Sequence, residues 1–222
     1  MPAITGVMQD YLKAIYKLQQ NRVAVSTSEI ADRLHVSAAS ATNMVKRLAH
    51  LKMVSYAPYR GFTLTAAGKR TALEIIRHHR LVELYLAREL RISLDKVDSE
   101  AERLEHVLSE DVEARMAATL GDPTLDPHGD PIPSINGTVR DVRYPTLDRL
   151  SAGETGVVTR VSDRSPAVLR QLSRLGVLPG VVLKMLGRRS GGCQVEIAGR
   201  SLRLPKAVCE GVYIQWLTAA NS

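Results

Sequence analysis

The sequence contains few of the residues that small secreted, zinc-binding or membrane proteins depend on. Its 222 residues include two cysteines, Cys193 and Cys209, too few for a disulfide framework and lacking the CxxC spacing of a zinc site. No apolar run approaches the ~20 residues that a membrane-spanning helix needs. The first residues, MPAITGVMQDYLK, have acidic and polar side chains too early for a signal peptide. We therefore expect a cytoplasmic protein with no membrane partner.

Charge is distributed unevenly along the chain, whose net charge is +7. Residues 1–75 contain ten Lys and Arg against four Asp and Glu, whereas residues 76–120 contain seven against ten. A basic N-terminal part favours contact with nucleic-acid phosphates, and an acidic middle part favours a cation. An ordinary solvated surface explains the composition at least as well. The choice between binding surfaces and an ordinary surface therefore depends on the motifs.

The N-terminal part has the pattern of a winged helix-turn-helix. Apolar residues at helical spacing predict a first helix over residues 4–20. Ser26-Thr27-Ser28-Glu29 has the form of a capping box and starts a second helix, and Ser37 is a good N-cap for a third helix over 38–51. Residues 54–65 alternate apolar and polar side chains around a Pro/Gly turn, which predicts a hairpin, the wing.

The third helix begins with small and short polar side chains, followed by basic ones. Such side chains let a helix approach a nucleic-acid groove and hydrogen-bond to base edges and phosphates. At the tip of the wing, Arg60 is placed to reach a minor groove or a phosphate. The predicted DNA-binding residues are Thr27, Ser37, Ala39, Ser40, Thr42, Asn43, Lys46, Arg47 and Arg60. The competing interpretation is a helix-turn-helix used only for packing.

The middle of the chain predicts two helices. Thr65 caps the first, which runs to about Leu90 and carries His79 and Glu83 four residues apart, on one face. The adjacent His78 points about 100° away and is expected at the surface. The second helix, over about 98–120, has an apolar stripe. The stripe consists of Ala101, Leu104, Leu108 and Val112.

Acidic and histidine side chains crowd beside that stripe. They are Asp98, Glu102, Glu105 and His106, within an arc of about 100°. Three carboxylates and an imidazole so close together need a cation or solvent between them. Together with His79 and Glu83 they predict a metal site, with surface salt bridges as the alternative.

The C-terminal third predicts a small β-barrel. Residues 122–146 are rich in Pro, Gly and Asp and are interpreted as a linker. Beyond them, short β-branched strands separated by turns, with one helix over 166–175, have the spacing of a barrel.

Several segments resemble the diphtheria-toxin-repressor family of metal-dependent regulators and, within it, the manganese transport regulators. The matching segments are 10–16 (DYLKAIY), 37–48, 79–83 (HRLVE), 102–106 (ERLEH) and 126–133 (DPHGDPIP). The stretch 175–180 (LGVLPG) resembles the SH3-like domain that long-form members share with ferrous-iron transport accessory proteins.

The resemblance covers essentially the whole chain and implies an α+β fold. The implied domains are a winged helix-turn-helix DNA-binding domain (1–65), a helical metal-binding and dimerisation domain (66–121), a linker (122–146) and an SH3-like β domain (147–222).

The resemblance also implies two metal sites. The primary ligands carried over are Asp10, Glu102, Glu105, His106 and His79, and the ancillary ligands are His79, Glu83 and Asp98, so that His79 stays open between the sites. Iron-sensing members carry Met in place of Asp10 and Cys in place of Glu102. Oxygen ligands make this site harder and favour Mn²⁺, with Fe²⁺ as the alternative.

This sequence departs from the family pattern at two positions. Short manganese regulators have a second Glu where this chain has Lys13, which argues against their two-metal cluster. Iron-type members have His where this chain has Asp98. In long members the barrel can donate a ligand; Asp163 lies near the right place, and a barrel without a ligand is the alternative.

The implied function is a Mn²⁺-dependent repressor of metal-uptake genes, a homodimer on palindromic operator DNA and not an enzyme. A cation joining Asp10 to the middle helices would fix the angle of the DNA-binding domain (residues 1–65, the head). In a dimer it would then space the two recognition helices for successive major grooves. The alternatives are an Fe²⁺-dependent regulator, a metal-independent winged-helix regulator, a metallohydrolase and an accessory domain of a metal transporter. Neither an HExxH motif nor an evident nucleophile supports hydrolysis.

Overall fold

A computed structural model of the chain describes residues 4–20, 23–57, 61–140 and 142–217. Contacts within the chain divide it into two compact units. The first unit contains Met1–His79, Leu104–Ser109 and Pro133–Thr138, and the second contains Arg80–Arg103, Glu110–Ile132 and Val139–Ser222. The predicted DNA-binding residue Arg60 lies outside the described residues. None of the described helices is both long enough and apolar enough to cross a membrane.

The first unit begins with three short helices, each started by a capping side chain. They are α1 (Gly6–Gln19), α2 (Thr27–Leu34) and α3 (Ala38–His50). Thr5, Ser26 and Ser37 each accept a hydrogen bond from a backbone N–H in the first turn of the following helix, which satisfies a donor that the helix itself leaves unpaired. The three predicted helices are therefore present, and Ser26 and Ser37 cap α2 and α3 as predicted.

A hairpin follows α3 and closes the core of the head. Its strands, β1 (Val54–Ala57) and β2 (Gly61–Leu64), are antiparallel, with Val54 opposite Leu64. Phe62 is buried and exchanges two backbone hydrogen bonds with Val25, the residue before the N-cap Ser26 of α2. The predicted wing therefore also holds the start of the helix-turn-helix in place.

Helix α4 (Ala66–Arg88) begins as predicted, because the hydroxyl of Thr65 accepts the N–H of Gly68. The prediction of one helix over 98–120 is wrong. The chain instead forms α5 (Leu94–Leu104) and α6 (Glu110–Thr119). A new helix start is signalled by Ser109 and by the three acidic residues in the first turn of α6. This local signal outweighs the helical spacing of apolar residues that predicted one continuous helix. The predicted apolar stripe is broken accordingly, since Leu104 and Val112 are both exposed.

In the second unit, a small core joins α4, α6 and part of the segment interpreted as a linker. Its buried members are Leu81, Leu84, Ala117, Leu120 and Ile132. Ile132 comes from that segment, and Asp126 and His128 nearby are also buried. Part of 122–146 is thus packed rather than solvated, while the bounds of the predicted domains remain predictions.

The C-terminal part is a five-stranded antiparallel sheet in the order β6-β5-β4-β3-β7. Its elements are a 3₁₀ turn (Leu147–Arg149), β3 (Thr155–Val161), α7 (Pro166–Leu175), β4 (Val182–Arg189), β5 (Gly192–Ile197), β6 (Arg200–Pro205), α8 (Lys206–Cys209) and β7 (Val212–Trp216). The predicted strands and the helix over 166–175 are present, whereas the short α8 was not predicted. Alternate side chains of the strands form one buried core with α7, as expected for a small β domain.

Candidate functional site

One face of α3 is buried and the opposite face carries most of the predicted DNA-contacting side chains. Ala41, Val45 and Leu48 are buried against the head. The exposed side chains on this helix include Ala39, Ser40, Asn43, Lys46 and Arg47. Helix α3 therefore presents small, polar and basic groups away from the core, as a helix that enters a DNA groove must.

Two predicted DNA-binding residues also have structural roles. The hydroxyl of Ser37 caps α3 by accepting the N–H of Ser40 at 3.1 Å. The hydroxyl of Thr42 donates to the carbonyl of Ala38 at 2.8 Å. Substituting Ser37 or Thr42 would therefore change the local helix as well as any DNA contact. The predicted Thr27 is half-buried and is the first residue of α2.

The predicted ligands Asp10, Glu105 and His106 come together in the first unit. Asp10 lies on α1, whereas Glu105 and His106 lie in the turn that follows α5. One ligand atom from each residue lies within 4.8 Å of the other two. His106 Nε2 is 2.8 Å from Asp10 Oδ1 and 3.6 Å from Glu105 Oε1. The break between α5 and α6 thus turns an acid and an imidazole toward the first helix.

Glu105 is the buried centre of this cluster, at 1% exposure. Lys13 Nζ donates to its Oε1 at 2.6 Å, and His79 Nδ1 donates to its Oε2 at 2.5 Å. Burial alone would raise the pKa of Glu105, but the His79 hydrogen bond and the Lys13 charge outweigh it and lower the pKa. Glu105 is therefore an ionised carboxylate at neutral pH, the form that binds a metal.

Two residues that the sequence analysis missed orient His106. Gln9 Oε1 accepts a hydrogen bond from His106 Nδ1 at 2.8 Å, so that Nε2 is the nitrogen facing Asp10. Metal-binding histidines are commonly fixed in this way through their second nitrogen. Gly6 lies against the ring, and a Cβ there would come 3.2 Å from His106 Cγ. The sequence positions of Gly6 and Gln9 could have indicated this role, since both lie within about one turn of Asp10 on α1.

The prediction that His78 lies at the surface is wrong. Its side chain is buried, and its Nδ1 lies 3.3 Å from the backbone oxygen of Glu105. Residues on several sides of α4 are buried at this level, Ile75, Ile76, Leu81 and Val82 among them, so a rotation of about 100° from His79 does not reach solvent. His78 hydrogen-bonds the backbone that carries Glu105.

A second cluster, formed by Glu83, Asp126 and His128, lies in the second unit. Its ligand atoms are also within 4.8 Å of one another, and all three side chains are buried. His128 Nδ1 is 3.6 Å from Glu83 Oε1. Of these three residues only Glu83 was predicted as a ligand, although Asp126 and His128 belong to the segment 126–133 on which the family resemblance partly rests. An acid and a histidine two residues apart in a Gly/Pro loop were the missed signal.

The loop that carries Asp126 and His128 is tied together by its own side chains and by α4. Asp126 Oδ1 accepts the backbone N–H groups of His128 and Asp130 at 2.8 and 2.9 Å. Arg80 of α4 lies 3.5 Å from both aspartates. Burial first, and then repulsion from Glu83 and Asp130, raises the pKa of Asp126 to about 7.

Strand β3 of the C-terminal sheet holds the same loop. Gly129 has φ +92°, and a Cβ at that position would lie 2.1 Å from the backbone oxygen of Thr159, so only glycine permits this approach. The carbonyl of His128 accepts the N–H of Val161 at 2.8 Å. Arg160 Nε donates to Asp130 Oδ2 at 3.0 Å. The C-terminal sheet therefore positions the loop of the second cluster through β3.

The remaining predicted ligands stay predictions. Asp98 and Glu102 lie on α5 and are both exposed. Asp163 is partly buried beyond the end of β3. Among the described residues, no group of three or more ligand atoms within 4.8 Å includes Asp163.

Three family models match successive parts of the chain. Residues 3–62 match the N-terminal DNA-binding domain of iron-dependent repressors, and residues 65–134 match their metal-binding and dimerisation domain. Residues 146–215 match the FeoA domain. The chain belongs to the iron-dependent repressor family. The fold class and the family resemblance inferred from the sequence are therefore confirmed.

Relatives within the iron-dependent repressor family match most or nearly all of the chain. The iron-dependent repressor IdeR of Mycobacterium leprae (strain TN) is 30% identical over 229 residues, with 97% of this chain and 99% of the relative covered. The diphtheria toxin repressor of Corynebacterium diphtheriae is 31% identical over 175 residues, which cover 78% of this chain and 72% of the relative. A solved manganese-dependent transcriptional repressor complex with manganese is 38% identical, with a TM-score of 0.86, and covers 94% of this chain and 99% of that chain.

Proposed function

We propose that this family member is a transcriptional repressor of metal-uptake genes whose DNA binding requires a divalent cation, with Mn²⁺ as the physiological ion. The observation that carries the proposal is the cluster of Asp10, Glu105 and His106. It joins a helix of the DNA-binding head to a turn about 95 residues later in the sequence. A ligand held by both segments would affect the geometry of the head.

The donors of this cluster suit a divalent cation. Two carboxylates and one imidazole are within 4.8 Å of one another, and like charges at that distance favour a shared cation. A bound divalent ion would supply positive charge and directional bonds to these three side chains. Gln9 orients the imidazole, and His79 holds Glu105 as a carboxylate. We propose Asp10, Glu105 and His106 as ligands, with Glu102 and His79 as predicted additional ones.

The choice of Mn²⁺ rests on the chemistry of the donors. The predicted set contains oxygen and imidazole nitrogen and no sulfur, and such sites suit Mn²⁺ and also Fe²⁺. The names of the relatives include iron-dependent repressors and a manganese-dependent repressor complex with manganese. Fe²⁺ is therefore the alternative ion, and DNA binding measured with Mn²⁺ and with Fe²⁺ distinguishes them.

The second cluster is proposed as a further metal site. Glu83, Asp126 and His128 are all at most 6% exposed, and buried carboxylates are costly unless they are paired, protonated or bound to a cation. Three further residues are predicted ligands: His79, Asp98 and, in the C-terminal domain, Asp163. They would either be additional ligands of an ion at this site or compete with these three residues for that ion.

A homodimer on a palindromic operator follows from the family and from the helix-turn-helix. The matching family model describes a dimerisation domain at residues 65–134. A two-fold dimer presents two recognition helices to half-sites about one DNA turn apart. The named relatives are repressors, which supports a regulator rather than a metallohydrolase.

The test is a DNA-binding titration. Duplexes that bind the Mn²⁺-loaded protein are selected from a random pool, and affinity is then measured with Mn²⁺, Fe²⁺, Zn²⁺ and no added metal. We expect Mn²⁺ to strengthen binding at least about 10-fold, which lies toward the lower end of the usual range of allosteric coupling. The variant Asp10→Asn should lose most of that gain.

The matched control is Asp111→Asn on α6, whose carboxylate pairs with Arg115 at the surface and should keep the response to Mn²⁺. Strong DNA binding without metal would instead indicate a metal-independent regulator. A larger response to Fe²⁺ than to Mn²⁺ would assign the iron alternative.

A further inference from the structure

We propose that Lys13 is an internal cation that competes with the metal at the cluster of Asp10, Glu105 and His106, the primary cluster, and sets how much Mn²⁺ the protein needs. The inference rests on the proposed function, because it assumes that Asp10, Glu105 and His106 bind Mn²⁺. Lys13 is not one of the predicted metal ligands, and binding of a divalent ion does not require it.

The contacts of Lys13 place its ammonium group at the cluster. Asp10 and Lys13 are three residues apart on α1 and so project from the same side of the helix. The side chain of Lys13 is 8% exposed, and its Nζ lies 2.6 Å from Glu105 Oε1. The same oxygen lies 3.6 Å from His106 Nε2. The ammonium therefore contacts the Glu105 oxygen that also faces His106.

The position of Lys13 creates a conflict with a metal. A divalent ion bonded to Glu105 Oε1 would lie close to a buried ammonium, and like charges repel strongly where water is excluded. Alternatively, Lys13 would move away from Glu105 and lose the ion pair between them. Either route subtracts from the affinity for the metal.

Without Lys13, Glu105 would be better prepared for a metal. His79 would still donate to Oε2, which keeps the carboxylate ionised and oriented, and Oε1 would be left for Mn²⁺. A purely structural role for Lys13 predicts the opposite sign, since loss of a supporting contact weakens a metal site. The sign of the change in affinity therefore distinguishes the two roles.

The experiment measures Mn²⁺ affinity from the electron paramagnetic resonance signal of the free ion. It uses the full chain in a Glu83→Gln background, which removes a ligand of the second cluster. The variants are Lys13→Met, Lys13→Arg and the control Lys17→Met, one turn further along α1. We expect Lys13→Met to bind Mn²⁺ at least about tenfold more tightly, or about 1.4 kcal/mol. Lys13→Arg and Lys17→Met should stay within about threefold of the background.

In otherwise wild-type protein, Lys13→Met should also lower the Mn²⁺ concentration at which DNA binding is half-maximal. If Lys13→Met is folded by circular dichroism but binds Mn²⁺ no more tightly than the background, the proposal is wrong and Lys13 is a structural support. If Lys13→Met does not fold, Lys13→Gln, which keeps a donor without the charge, must show the same tightening. Failure of the wild-type chain to bind Mn²⁺ would instead contradict the proposed function.

Discussion

The substitution Glu105→Gln tests the buried electrostatics of the primary cluster even without metal. Glu105 is 1% exposed and lies between the ammonium of Lys13 and the imidazole of His79. Glutamine has the same shape but no charge, so the Lys13 ammonium would lose its ion pair with the Glu105 carboxylate. Removing one partner of a buried pair typically costs ~3–5 kcal/mol. Because Lys13 keeps 8% exposure, we expect a loss near the lower end, about 3 kcal/mol.

The loss would be measured by urea unfolding of the metal-free chain, and by a melting temperature lower by roughly 6–12 °C for a protein of this size. The double variant Glu105→Gln/Lys13→Met removes both charges and should recover most of the loss, as in other buried pairs replaced together. The control Asp111→Asn breaks a surface pair with Arg115 and should cost less than about 1 kcal/mol. A loss below about 1 kcal/mol for Glu105→Gln, or no recovery in the double variant, would refute this reasoning.

Three further predictions address the loop, its protonation and the DNA-contacting face. Gly129→Ala should destabilise the chain by about 2–4 kcal/mol in urea unfolding, because a Cβ would clash with strand β3; an unchanged unfolding curve would contradict the packing of the loop. The pKa of Asp126 is raised from 3.8 to about 7, so the folded state holds a proton that the unfolded state releases, and metal-free stability should fall as pH rises from about 4 to 7, by at most about 4 kcal/mol. The variant Asp126→Asn should lose that part of the pH dependence, and an identical profile would contradict it. Lys46→Gln on α3 should reduce the slope of log affinity for DNA against log salt by about 1, whereas Lys96→Gln on α5 should leave it unchanged; equal slopes for both would exclude Lys46 from phosphate contact.

The sequence was most informative where a local signal determines the structure. The caps Ser26 and Ser37 and the Pro/Gly turn of the wing act within a few residues, so α2, α3 and the hairpin were predicted close to their observed bounds. The short strands and turns likewise indicated the small β domain at the C-terminus, which is a five-stranded sheet.

The sequence was least informative where long-range contacts decide. Helical spacing predicted a continuous helix through Glu105, but that side chain bonds to Lys13 and His79 from distant parts of the chain. Periodicity also cannot tell how many sides of α4 are covered, so His78 was wrongly placed at the surface. Asp126 and His128 were missed because a Pro- and Gly-rich segment resembles a linker until the strand that holds it is known.

The most direct test of the metal sites is anomalous diffraction from crystals of the full chain grown with excess Mn²⁺. Data collected on both sides of the manganese absorption edge identify the ion and its position without assuming the ligands. The proposal predicts a manganese peak bonded to Asp10, Glu105 and His106, and a second one at Glu83, Asp126 and His128. Crystals that contain ample manganese but show no peak at Asp10, Glu105 and His106 would contradict the proposed function.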